Sequence, residues 1–215
     1  MKNSWQAPLT TLVVVILFAA FNAKPMQSAA DIASWVQGGG SLLAIIAAVW
    51  IYAKQYSDKK ADEENETRAF VQAIRDEVRA LSGLYERQIG PALRNLAADQ
   101  EFPYFYPVSA DALTIYNSAS SRVGKIGDPE LRRLIVESYA LVKGIISSYQ
   151  MNNQLLTDYQ SLLLTYRQDD REQVLGVRAR GLVAYAADLK KQDERLAVSV
   201  AALLSHIDTW LRSRR

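Results

Sequence analysis

Residues 32–53, IASWVQGGGSLLAIIAAVWIYA, decide the fold of this chain. The stretch carries no charged residue, and about 20 apolar residues in a helix are enough to cross the ~30 Å hydrocarbon layer of a membrane. Trp35 lies near one end and Trp50 near the other, where aromatic side chains anchor a helix at the two membrane surfaces. The stretch therefore predicts a transmembrane helix rather than the core helix of a soluble protein, which is usually shorter and amphipathic.

A second apolar run precedes this stretch, at residues 9–23, LTTLVVVILFAAFNA. As a helix it reaches only ~22 Å, and Lys2 before it with small residues at 28–30 after it also fits a cleaved signal peptide. We expect a retained span, because Pro8 suits the first turn of a helix and a second span follows at once. The sequence thus predicts a transmembrane hairpin over residues 1–56, with spans at about 8–23 and 32–53.

Lysines around the two runs predict the orientation of the hairpin. Lys54, Lys59 and Lys60 follow the second run and Lys2 precedes the first, whereas the connecting loop offers only Lys24. Positive charge favours the cytoplasmic side. Both termini are therefore expected in the cytoplasm, and Asp31 is expected to cap the second span.

Small residues mark one face of the second span. Gly38 and Gly39 precede Gly40, Ala44 and Ala48, which recur at every fourth position, a spacing that lets two membrane helices approach closely. The face fits packing against the first span of the same chain and fits a homo-oligomer equally well. It is the candidate helix-packing or oligomer face.

The overall composition excludes several classes of function. The 25 basic and 23 acidic residues give a net charge of +2, so no nucleic acid partner is expected. The chain has no cysteine and a single histidine, His206, which argues against zinc and thiolate sites. It contains no P-loop, GxSxG, HExxH or GxGxxG motif. We therefore expect no catalytic, cofactor-binding or metal-binding residues, and a protein that is not an enzyme.

Helical periodicity dominates residues 57–215. Apolar residues recur three or four apart from Phe70 to Ile89, Gly90-Pro91 breaks the pattern, and Asp128-Pro129 is a helix-start signal. The predicted fold is all-α: the two-helix transmembrane hairpin, then a soluble helical bundle with long antiparallel, coiled-coil-like helices.

The final helix, which Asp169 or Asp170 would cap, shows the strongest repeat. Positions seven apart are Leu175, Leu182, Leu189, Leu196, Leu203 and Trp210, with Ala179, Ala186, Asp193, Val200 and Ile207 four residues after the first five. The face fits an antiparallel bundle within the domain or a second subunit, and Gly176 and Gly181 favour the bundle. Asp193 on this face is expected to meet an Arg or Lys and to fix the register.

One aromatic loop interrupts the helices, at residues 101–109, EFPYFYPVS. Two prolines exclude a regular helix. Phe102, Tyr104, Phe105 and Tyr106 either form a partner-contact loop, since rigid rings lose little entropy on binding, or plug the end of the bundle.

The run PVSADALTIYNSASSRVGKIGDPELRRLIVESYALVKGIISSY, residues 107–149, resembles a pattern in uncharacterised bacterial membrane-anchored helical proteins. The shared features are an aromatic-proline start, a helix, Gly-hydrophobe-Gly, and a helix with an IVxxY core, here Ile135, Val136 and Tyr139. The resemblance implies a bacterial source, hence the inner membrane, and a cytoplasmic helical domain. It implies no activity.

Two functions fit these features. The first is a non-enzymatic membrane protein whose cytoplasmic helical domain is an interaction or sensing module. The second is a two-span effector that oligomerises and permeabilises the membrane in a bacterial anti-phage system, an analogy of architecture alone. The expected partners are the lipid bilayer, a second copy of the chain and a cytoplasmic protein.

Overall fold

The computed structural model describes residues 28–107 and 113–214, together with positions 11, 15, 18, 19 and 22. Its elements are α1 (Ala29–Gln88), α2 (Gly90–Arg94), α3 (Thr114–Ala119), a 3₁₀ helix (Ser120–Lys125), α4 (Pro129–Thr165) and α5 (Arg171–Arg212). Within these ranges no strand occurs, so the all-α prediction is confirmed there. The predicted first span at 8–23 and the connecting loop fall largely outside the described residues.

The chain divides into two compact units, with the boundary between Asp62 and Glu63. The sequence placed the corresponding boundary between residues 56 and 57. Helix α1 runs without interruption from Ala29 to Gln88 and contributes residues to both units.

In the first unit, α1 begins with a reciprocal cap rather than with Asp31 as the cap itself. Ser28 Oγ accepts a hydrogen bond from the Asp31 amide at 3.2 Å, and the Asp31 carboxylate accepts from the Ser28 amide at 3.1 Å. This is the capping-box arrangement, in which the residue in the first turn bonds back to the capping residue. The helix therefore starts upstream of the position predicted from Asp31.

Residues 32–53 lie within α1. In the described part of the chain, α1 is the one helix that is long and apolar enough to cross a membrane, and none of its most apolar window is buried. The prediction of a membrane-spanning length near the N-terminus thus agrees with the structure, while the first span, at residues 8–23, remains a prediction.

In the second unit, α4 and α5 form an antiparallel pair. Ser138 and Ser199 bond through their hydroxyl groups at 2.8 Å, and ten residues further along α4 the Ser148 hydroxyl donates to Gln192 at 2.8 Å. Asp128 caps α4 as predicted, because its carboxylate accepts from the amides of Glu130 at 2.9 Å and Leu131 at 3.0 Å.

Two clusters of buried side chains hold α1, α4 and α5 together. The first joins the three helices near the start of α4 and the end of α5; its members include Phe70, Val71, Ile74, Val78, Leu131, Ile135, Leu203, Ile207 and Trp210. The second lies around the aromatic loop and includes Ile89, Leu93, Phe102, Ile145, Tyr149, Ala186 and Leu189. Each buried Leu or Ile side chain contributes about 1.5–3 kcal/mol to folding, so the seven-residue repeat of α5 supplies much of this core.

The break at Gly90-Pro91 also agrees with the sequence. Helix α1 ends at Gln88, and Pro91 lies in the first turn of α2, where a missing amide costs no helical hydrogen bond. The turn brings Arg94 towards α5. Helix α2 therefore supplies the cation, Arg94, that lies near Asp193.

Candidate functional site

The second unit contains a cavity of about 500 Å³, lined by the last part of α1 together with α4 and α5. Its wall is mainly aliphatic and includes Val78, Leu81, Val142, Ile145, Ile146, Leu196, Val200 and Leu204. Ala197 and Ala201 line it while remaining exposed to solvent, so the cavity opens at the surface. Volume and lining fall within the range of pockets that bind small organic molecules.

The lining of the cavity includes small side chains, among them Ser82 on α1 and Ala197 and Ala201 on α5. Between the two buried clusters, the three helices therefore enclose a space instead of closing on each other. Protein interiors otherwise pack with few voids larger than a water molecule.

A chain of three polar side chains lies at one end of the cavity. The hydroxyl groups of Tyr149 and Tyr85 are 2.9 Å apart, and the Tyr85 hydroxyl donates to Asp193 Oδ1 at 2.8 Å. Since Tyr85 has one proton to donate, the bond between the tyrosines requires Tyr149 to donate to Tyr85. All three residues line the cavity, and they come from α1, α4 and α5.

Asp193 is a buried acidic side chain whose oxygens are only partly hydrogen-bonded. It is 2% exposed, and its Oδ2 atom has no hydrogen-bond partner among the described residues. Arg94 Nε lies 3.6 Å from Oδ2, which is an ion-pair distance but too long for a hydrogen bond. Burial raises the pKa of Asp193, against the lowering effects of the Tyr85 hydrogen bond and of Arg94. The cation that the sequence led us to expect is thus Arg94.

The guanidinium of Arg94 is shared between two acids. It bonds to Glu86 at 2.5 Å, and its Nε donates to the Gly90 carbonyl at 3.1 Å. Burial also raises the pKa of Tyr85 well above its ordinary value and that of Tyr149 to about 12. Both phenols therefore keep their protons at neutral pH, as the hydrogen-bonded chain requires.

The aromatic loop divides into buried and exposed rings. Phe102 is fully buried and Tyr106 is partly buried, whereas Tyr104 is 53% and Phe105 50% exposed. Asn153 holds the loop on α4, because its side chain accepts from the Tyr106 amide at 3.1 Å and donates to the Tyr106 carbonyl at 2.8 Å. Phe102 and Tyr106 pack within the unit, whereas Tyr104 and Phe105 are exposed, and their role as partner contacts remains a prediction.

The candidate oligomer face lies on the exposed surface of α1. Gly40, Ala44 and Ala48 are exposed, and around Gly38, Gly39 and Gly40 no described atom other than those of the adjoining helix backbone lies within 4 Å of the place where a side chain would begin. The face is thus uncovered by the described residues. Its role in packing or in oligomer formation remains a prediction.

The polar contacts of His206 and Glu77 have no signal in the local sequence. His206 Nε2 lies 2.9 Å from Asp128 Oδ2, although the two residues are 78 positions apart. Glu77 accepts from the backbone amide of Ile115 at 2.7 Å and from the Tyr139 hydroxyl at 2.6 Å, so an acid of α1 caps α3. The described residues contain no group of three or more potential metal ligands.

Comparisons with protein-family models, with curated proteins and with solved structures find no match for this chain.

Proposed function

We propose that this chain is a non-enzymatic, membrane-anchored sensing module whose helical domain binds a small apolar molecule. The observation that carries the proposal is the cavity of about 500 Å³, in which an aliphatic wall surrounds a few hydrogen-bonding groups. This combination is typical of binding sites for small organic ligands. The alternative interaction with a cytoplasmic protein partner would use the exposed rings of Tyr104 and Phe105.

The anchor in this proposal is the transmembrane hairpin of two spans, placed in the bacterial inner membrane with both termini in the cytoplasm. Its support is the apolar part of α1 and the lysines that flank the two apolar runs. A reporter enzyme that is active only in the periplasm should be silent when fused after Arg215. Strong activity of that fusion would contradict the orientation.

Photolabelling of the full-length protein in lipid nanodiscs tests the binding function. The probe is octan-1-ol carrying a diazirine, a neutral molecule that suits an aliphatic wall. We expect saturable labelling of the tryptic peptides 144–167 and 196–212, which contain cavity-lining residues of α4 and α5. Unlabelled octan-1-ol should compete for these sites.

The apolar peptide 3–54 serves as the internal control. It should be labelled from the lipid in proportion to probe concentration, without saturation. Labelling confined to peptide 3–54, or labelling of the cavity peptides that never saturates, would refute the proposed binding function.

The membrane-perturbing effector is the second candidate. It is favoured by one observation, the uncovered face at Gly38–Gly40 and Ala44. A membrane-potential dye in growing cells separates the two functions, because induced expression of a pore-forming protein depolarises the membrane, whereas an anchored sensor leaves the potential unchanged.

A further inference from the structure

The polar end of the cavity is built from tyrosine rings. The ring centroid of Tyr149 lies 6.2 Å from that of Tyr85 and 5.1 Å from that of Tyr106, and both pairs are tilted by 59°. All three residues line the cavity. The face of a tyrosine ring attracts a cation, and three such rings lie close together at this end of the cavity.

The ionisable residues of the cavity lining also favour a cationic ligand. Its ionisable groups other than tyrosine are Glu86 and Asp193, and among the described lining residues there is no Lys, Arg or His. Arg94, next to the lining, is bonded to Glu86 and lies 3.6 Å from Asp193. Two acidic side chains thus share one cation at this end of the cavity.

Three arginines of this unit line a different cleft, where Arg68, Arg75 and Arg212 lie together with Asp208. An anionic ligand would find counter-charges more readily in that cleft than beside Asp193, where Arg94 is already bonded to Glu86.

The hydrogen bonds point to a ligand that donates. The Tyr149 hydroxyl donates its proton to Tyr85, and the Tyr85 hydroxyl donates its proton to Asp193. These three hydrogen-bonded side chains therefore have no donor left, but both phenol oxygens retain lone pairs that can accept. Asp193 Oδ2 also has no hydrogen-bond partner among the described residues. A carboxylate or carbonyl ligand would find no donor among Tyr85, Tyr149 and Asp193, whereas an ammonium group would find acceptors there.

We propose that the cavity binds an organic ammonium ion, with the alkyl part against the aliphatic wall and the ammonium group among Tyr85, Tyr106 and Tyr149. The inference rests on the proposed function, since it names the chemical class of the ligand for the same cavity. The rings provide the cation–π attraction, and the acidic side chains of Asp193 and Glu86 provide the counter-charge. The occupant is a single small cation, not a peptide or a lipid surface.

Competition against the diazirine probe tests this ligand class on the full-length protein in nanodiscs of zwitterionic phosphatidylcholine, which adds no net lipid charge. The competitors share an eight-carbon chain: octylammonium, octan-1-ol and octanoate. We expect octylammonium to compete about tenfold more strongly than octan-1-ol and octanoate to compete least.

Substitution of Tyr106 tests whether its ring contributes to the preference for octylammonium over octan-1-ol. The Tyr106 hydroxyl makes no hydrogen bond to a described residue, so Tyr106→Phe keeps the ring and should keep the preference for octylammonium. Tyr106→Leu keeps an apolar side chain without a ring and should reduce the preference several-fold, while octan-1-ol still competes.

The outcomes separate this inference from the function on which it rests. If the cavity peptides show no saturable labelling, the binding function itself fails. If they are labelled but octan-1-ol or octanoate competes as well as octylammonium, the cavity binds apolar molecules and the ammonium class is wrong. An equal preference in Tyr106→Leu and Tyr106→Phe would also refute the role of the rings.

Discussion

Replacing Tyr85 by Phe should destabilise the helical domain mainly through Asp193. The substitution keeps the ring and deletes the hydroxyl that donates to Asp193 at 2.8 Å and is bonded to Tyr149 at 2.9 Å. Asp193 Oδ2 already has no hydrogen-bond partner among the described residues, so the variant leaves both oxygens of a buried carboxylate without a hydrogen bond. A hydrogen bond to a charged group contributes about 1.5–3 kcal/mol, and we expect a loss of that size at pH 7.

The loss should depend on pH in a defined direction. Burial already holds the folded-state pKa of Asp193 above its ordinary value of 3.8, so ionisation of this group opposes folding. The contribution of Asp193 to stability is therefore highest below that ordinary value and falls as the pH rises through the raised pKa. Removing the Tyr85 hydrogen bond raises the pKa further, because that bond favours the ionised form. The cost of Tyr85→Phe should thus be larger at neutral than at acidic pH.

Pulse proteolysis of the full-length protein in nanodiscs, across a urea series at two pH values, measures this cost. Tyr185→Phe is the matched control, because its hydroxyl donates to the neutral carbonyl of Ser148 at 3.2 Å and its removal should cost about 0.5–1.5 kcal/mol at either pH. The reasoning is refuted if Tyr85→Phe costs no more than Tyr185→Phe, or if its cost is independent of pH.

Three further predictions concern the cap, the domain and the first unit. Asp128→Ala should lower the free energy of unfolding by about 0.5–2 kcal/mol in the same urea assay, and Asp128→Asn, which can still cap, should lower it less. The His206 hydrogen bond lowers the pKa of Asp128. The stabilisation by Asp128 is therefore present above its ordinary pKa of 3.8 and is lost as the pH falls through the lowered pKa. Residues 57–215 expressed alone should be soluble and more than about 60% helical by circular dichroism, and a substantial β signal would contradict the domain boundary. Gly40→Leu should abolish a higher oligomer in crosslinking of native membranes at unchanged expression; persistence of that oligomer would show that the glycine face is not a subunit contact.

Local patterns predicted the helices of the second unit well. The leucines seven apart in α5 predicted a buried face, and Leu182, Leu189 and Leu203 are buried against other helices. Gly90-Pro91 and Asp128-Pro129 predicted two boundaries, because proline and a capping carboxylate act within one helical turn. Each of these patterns depends only on residues that are close in the sequence.

The cavity could not be predicted in this way. Its polar chain joins Tyr85, Tyr149 and Asp193, which are far apart in the sequence and meet only because α1, α4 and α5 pack in one particular register. Asp193 was recognisable as an acid on an apolar face that should meet an Arg or Lys, but no local pattern singled out Arg94. The Asp128–His206 contact has the same origin, since it joins the start of α4 to the end of α5.

The central claim is that the cavity of the helical domain holds a small molecule, and the most direct measurement compares two alanine-to-phenylalanine variants. Ala197 lines the cavity, whereas Ala202 is exposed on the same helix and is not part of the lining. Saturation of photolabelling on peptide 144–167 is measured for both variants and for the unsubstituted protein, so that the readout lies on α4 and not on the substituted helix. We expect Ala197→Phe to abolish the saturable labelling and Ala202→Phe to leave it unchanged. Equal saturable labelling in both variants would contradict the claim.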